Sequence, residues 1–141
     1  MRFSVLKHTL PANSIRSSHW DLLLQFADYQ SEDERALYCF ELHLPPDQWS
    51  SLAAMQLPDH RALYLHYSGP ISNDRGAVEL VLAGDIQWLS RDENCYEFEL
   101  HPESHPNPRN WNANGQRFRL SRQDKDQWSL SHSEGRPLGD C

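Results

Sequence analysis

From His19 to Phe26 the large apolar residues Trp20, Leu22, Leu24 and Phe26 recur at every second position. A period of two is the signature of a strand with one face turned to a core. His19, Asp21, Leu23 and Gln25 occupy the other face. The same alternation returns in short segments along the chain, divided by turn-forming residues. Phe3–His8 reads as a first strand, His19–Phe26 as a second and Leu37–Leu44 as a third. Pro45-Pro46-Asp47 breaks the third, and Asp47 is placed to cap a short helix over 48–55. His60–Tyr67 reads as a further strand. Ala77–Leu82 and Ile86–Leu89 flank Ala83-Gly84-Asp85 as a hairpin. Cys95–His101 follows, and Gln116–Arg122 with Gln127–His132 form a last hairpin around Asp124-Lys125-Asp126.

About eight short strands with one short helix predict a mainly β fold, a compact antiparallel β-barrel. Only six of the 141 residues are Ile or Val, so Leu and the aromatics must pack the strands. The length suits a single domain over residues 1–132. The proline- and asparagine-rich stretch 101–115 reads as a long irregular loop, and 133–141 as a loose C-terminal tail. No run is apolar enough for a membrane span, and the N-terminus has no secretory h-region. Cys39, Cys95 and Cys141 are odd in number and widely spaced, which fits three free thiols in a cytoplasmic protein.

Thirteen basic against twenty acidic side chains give a net charge of −7, which excludes coating nucleic acid through bulk charge. A small site handling nucleic-acid ends remains compatible with it. P-loop, dinucleotide-binding and nucleophile-elbow motifs are absent.

The sharpest local pattern is His19-Trp20-Asp21. Residues two apart on a strand point to the same side, about 6.5–7 Å apart, so an imidazole and a carboxylate can converge on one divalent ion. His8, at the end of the preceding strand, becomes a third ligand if the two strands are neighbours. Two histidines and a carboxylate make an open site suited to manganese, iron or zinc. The wet face of an edge strand would present the same residues with no metal. His60, Tyr64 and His66 share a predicted strand face and are candidates for holding phosphate or moving a proton. Arg61 and Arg75 are candidate phosphate contacts, because the guanidinium fork matches phosphate oxygens. His43, His101, His105 and His132 have no partner at a useful spacing.

Four segments occur in a recognisable order: Phe3-Ser4-Val5-Leu6-Lys7-His8, His19-Trp20-Asp21-Leu22-Leu23-Leu24, Leu57-Pro58-Asp59-His60-Arg61-Ala62-Leu63-Tyr64, and Tyr67 through Gly76. Over residues 2 to about 90 the chain resembles the 3′-phosphoesterase domain of bacterial DNA ligase D, and its short stand-alone relatives more closely. The resemblance implies a β-barrel holding manganese through His8, His19 and Asp21, with His60 and Tyr64 on the phosphate. The activity it implies is removal of a 3′-phosphate or terminal ribonucleoside before DNA end joining. The nucleic-acid 3′ end would be the substrate and a separate DNA ligase or polymerase a partner. The ligase-linked domains carry an Arg two residues after the metal-binding Asp, where this chain has Leu23. Their Lys falls in the stretch His43-Leu44-Pro45, and an Arg and a Glu fall at Leu52 and Pro58. The alternative these departures open is a non-catalytic, metal-holding barrel that binds a partner in a repair assembly.

Overall fold

The structure is a computed structural model that describes residues 1–103 and 115–133. Nine strands form one antiparallel sheet: β1 (Arg2–Thr9), β2 (His19–Gln25), β3 (Leu37–Leu42), β4 (Ser51–His60), β5 (Gly69–Pro70), β6 (Ala77–Arg91), β7 (Cys95–Pro102), β8 (Gln116–Asp124) and β9 (Gln127–Ser133). Their order is β1-β2-β3-β4-β9-β8-β7-β6-β5, and β1 also pairs with β6. That last pairing closes eight of the strands into a ring, with the two-residue β5 attached outside it. The predicted all-antiparallel β class is the one observed. The long loop and the tail fall mainly on residues 104–114 and 134–141, outside the described residues, as do His105 and Cys141.

The inside of the ring is built from the even face of β2 and its counterparts. Phe3 lies opposite Leu24 and Val5 opposite Leu22. Leu22 lies opposite Phe40 and Trp20 opposite Leu42. With few β-branched residues, aromatic rings fill the centre: Trp128, 1% exposed, meets Phe40 at 5.3 Å edge-on and Tyr96 at 4.9 Å. Such edge and tilted contacts add to the gain from burial. The Trp128 indole N–H is satisfied by Gln56 Oε1 at 3.0 Å.

Three local predictions are corrected. The expected helix over 48–55 is a three-residue 3-10 turn, Pro46–Gln48, followed by β4. Leu52, Ala54 and Gln56 alternate toward the ring interior, and pairing with both β3 and β9 overrides the helix signal. Pro58 is accommodated in β4 because the register against β3 shifts between Leu37 and Cys39. The expected strand 60–67 is instead a 3-10 turn over Ala62–Leu65. Its first amides donate to the loop before β3, Ala62 to Glu34 O and Leu63 to Glu32 O. Ala62 and Leu65 are then buried, at a spacing of three rather than two.

The expected hairpin at 83–85 is the middle of one long strand. β6 pairs with β1 through its first part and with β7 through its second, and Gly84 lies opposite both Phe3 and Pro102. A Cβ on Gly84 would stand 2.0 Å from the His101 carbonyl oxygen. Gly84→Ala therefore forces two backbones apart at the point where the ring closes. We expect a loss of about 1–3 kcal/mol in a urea melt, and a wild-type midpoint would refute this account of the closure.

Cys39 is a free, buried thiol, whereas Cys95 is disulfide-bonded, so the expectation of three free thiols is corrected. Among the described residues no helix is long and apolar enough to cross a membrane.

Candidate metal centre

The outer faces of β1, β2 and β3 are covered as well. Leu6, Leu23, Leu37 and Cys39 pack there under Leu65 and Val78, with Tyr64, Tyr67 and Ile71 alongside. The segment after β4 therefore roofs the second face of β2. The buried Ser4 hydroxyl donates to Tyr64 O at 2.7 Å and ties that roof to β1. Beside this apolar patch, His19 and Asp21 of β2 line a cavity of about 640 Å³.

That cavity brings together His8, His19, Asp21, His60, Arg61, Tyr64 and Arg75, seven of the eight candidate residues singled out from the sequence, His66 being the exception. His8 lies directly across from His19 in the β1–β2 register. One ligand atom from each of His8, His19 and Asp21 falls within 4.8 Å of the others. His19 and Asp21 are 1% and 4% exposed, so this is no wet edge.

The hydrogen bonds at the back of each ring fix what it presents to the front. His19 Nδ1 lies 3.2 Å from Ser17 O, a carbonyl that can only accept, so Nδ1 carries a proton there. The neutral ring then turns the Nε2 lone pair toward Asp21 Oδ1 at 3.1 Å. The two atoms are not aligned as a hydrogen bond, and both are buried without a hydrogen-bonding partner. His8 Nε2 likewise donates to Arg75 O at 2.8 Å, leaving the Nδ1 lone pair 3.5 Å from Asp21 Oδ2. Two imidazole lone pairs and a carboxylate thus face one another, which costs free energy unless a positive charge stands between them. A proton meets part of that need. Burial opposes the His19 imidazolium, but Asp21, Ser17 O and Glu41 outweigh it and raise the His19 pKa. Burial also opposes ionisation of Asp21, yet His19 and His8 hold its pKa below the ordinary value. A divalent ion meets the need fully, and the donor set of two imidazoles and one carboxylate fits it.

The residues around the triad favour an anion. Four arginines line the cavity. Arg61 faces Asp33 at 3.3 Å and donates to Tyr64 OH at 3.4 Å, and Arg16 is paired with Glu41. Arg35 donates to Asp59 O at 2.6 Å, and Arg75 to Ser72 O and Ser72 Oγ at 2.9 and 3.3 Å. Among the described residues no carboxylate lies within ion-pair distance of Arg35 or Arg75. Two guanidinium charges therefore remain for a ligand. His60 Nδ1 donates to Pro58 O at 2.7 Å, so Nε2 is the atom free to exchange a proton in the cavity. The His60 and Tyr64 rings sit 5.7 Å apart.

Other side chains are placed differently from expectation. His66 pairs with Glu32 at 2.6 Å and does not line the cavity, because the 3-10 turn rotates it away. His43 has a partner after all, Glu41 Oε2 at 3.0 Å, and His101 meets Glu99 at 3.2 Å. Arg16, Arg35 and Glu41 were not singled out from the sequence. The two arginines lie in loops and carry no periodic signal, whereas Glu41 continues the outward set of β3 and needs only the strand register to be found. Burial, with Asp21, Glu41 and Asp59 nearby, pushes the Cys39 thiol well up, so it is no nucleophile. Leu23 is fully buried in the apolar patch.

No protein-family model matches the chain, and no curated protein matches it.

Proposed function

We propose that this protein is a divalent-metal-dependent phosphoesterase that processes the 3′ ends of nucleic acid, with manganese as the metal. The observation that supports it most is a coincidence of place. The lone pairs of His8 and His19 converge on Asp21 in the same cavity that Arg35 and Arg75 line without acid partners among the described residues. A cation site beside uncompensated guanidiniums suits a phosphate bridging the two. The choice of metal, the 3′-phosphate or terminal ribonucleoside as substrate, and a role in DNA repair beside a separate ligase or polymerase follow from the resemblance of the four segments.

His8, His19 and Asp21 would hold the divalent ion, which would supply Lewis-acid activation of a phosphoryl oxygen and of a water. The chain's residues do the rest. Arg35 and Arg75 hold non-bridging phosphate oxygens and offset the charge that builds in the transition state. The Tyr64 hydroxyl, kept in place by Arg61, donates to a further oxygen. His60 Nε2, when protonated, gives its proton to the departing oxygen, while Pro58 O keeps the ring oriented through Nδ1. The roof over β2 keeps bulk water from the back of the triad.

The test is 3′-end processing of a primer-template carrying a 3′-phosphate or a terminal ribonucleotide, with Mn²⁺ added and Asp21→Asn as control. End removal by the wild type and none by the variant is expected. Equal rates in the two would overturn the reading and leave a barrel that binds a partner.

A further inference from the structure

We propose that Glu41 is a fourth ligand of this centre, and that Arg16 is its counter-ion when the centre holds no metal. The inference rests on the metal centre proposed above. Glu41 lies on β3 directly opposite Asp21, so its side chain shares the outer face of the sheet. It is 6% exposed. A carboxylate that deep needs positive charge close by. Its Oε1 is 3.4 Å from His19 Nε2, the buried atom that has no hydrogen-bonding partner. Asp21 Oδ1 stands 3.1 Å from the same nitrogen. Ligands held by one ion at about 2.0–2.2 Å are about 3.0–3.6 Å from each other. Both carboxylates meet that spacing about one nitrogen.

The charge balance points the same way. Two neutral imidazoles and one carboxylate leave a divalent ion with a residual positive charge inside a buried site. A second carboxylate cancels it. Oε1 of Glu41 also accepts from the Arg16 guanidinium, so an incoming ion and Arg16 compete for one oxygen. His43 holds the other oxygen, Oε2, at 3.0 Å and keeps the carboxylate oriented during the exchange. Arg16 is half-exposed and lines the cavity. Metal entry therefore releases a guanidinium where an anion would sit. The centre charges its own anion pocket as it fills.

The experiment is Mn²⁺ affinity by electron paramagnetic resonance of the free ion, with thermal melts in parallel, for the wild type, Glu41→Gln and Arg16→Ala. Glu41→Gln keeps the shape and loses the charge, and should bind Mn²⁺ at least about tenfold more weakly. Arg16→Ala removes the competitor and should bind about two- to fivefold more tightly. A Glu41 that served only to anchor Arg16 would leave Mn²⁺ affinity unchanged in both variants, and that result overturns the proposal. Should Glu41→Gln melt too low to assay, Arg16→Ala still decides: tighter binding supports the competition, and unchanged or weaker binding refutes it. A wild type that binds no Mn²⁺ overturns the centre itself, an outcome distinct from tight binding that ignores Glu41.

Discussion

Asp21→Asn is expected to abolish Mn²⁺ binding and end processing while leaving the protein folded. The argument starts from the lone pairs. In the wild type, His19 Nε2 and His8 Nδ1 face the carboxylate at 3.1 and 3.5 Å. An asparagine of the same shape places an amide N–H where a carboxylate oxygen stood. That N–H can donate to a ring nitrogen, so the buried orphan gains a partner without a metal. The metal-free variant should therefore melt within a few degrees of the metal-free wild type. The two proteins separate on adding Mn²⁺. The wild type should rise in melting temperature by mass action and the variant should not. Activity should fall by roughly a thousandfold or more, because the water and the phosphoryl oxygen both lose their activation. A variant that still shifts with Mn²⁺ would place the ion elsewhere.

The second large effect is expected from Arg75→Ala and Arg35→Ala. Each should lower kcat/KM by roughly a hundredfold, in line with losing one preorganised donor to a developing charge. Mn²⁺ affinity should stay as in the wild type, even for Arg75→Ala. The group that orients His8 is the Arg75 backbone carbonyl, which the substitution leaves in place. Arg61→Ala should cost less, since Asp33 already faces that guanidinium at an exposed position. A steady-state assay with parallel metal titration separates the two roles. If neither Arg35→Ala nor Arg75→Ala moves kcat/KM, the cavity does not hold phosphate.

The parts that were legible in the sequence are those governed by a single local period. The even face of β2 read as core because Trp20, Leu22 and Leu24 repeat at two, and it lines the inside of the ring. His19 and Asp21 fell on the opposite face for the same reason. The parts that were not legible depend on which strands meet. Glu41 becomes notable only once β3 is in register with β2. Gly84 carries the mark of a turn, yet a glycine also serves where two backbones approach, and a single chain does not distinguish these uses. Pro45, Pro46 and Asp47 announce a helix start that β4 overrides by pairing on both sides. In 60–67 the alternation of Leu63, Leu65 and Tyr67 hid a spacing of three, because the loop before β3 supplies the hydrogen bonds a strand would have drawn from a neighbour.

Seven residues of β2 thus serve two masters, core through one parity and site through the other. Substitutions can tune either set while sparing its counterpart. Insertions and deletions cannot. One residue added between Trp20 and Leu22 would send Leu22 and Leu24 outward and Leu23 and Gln25 inward, ruining the ring and its outer face together. Over long divergence this stretch should change by replacement alone and keep its length. The loops on either side are free to grow or shrink. Homologues of this fold should therefore align without gaps from position 19 to 25 even where hardly a residue is shared.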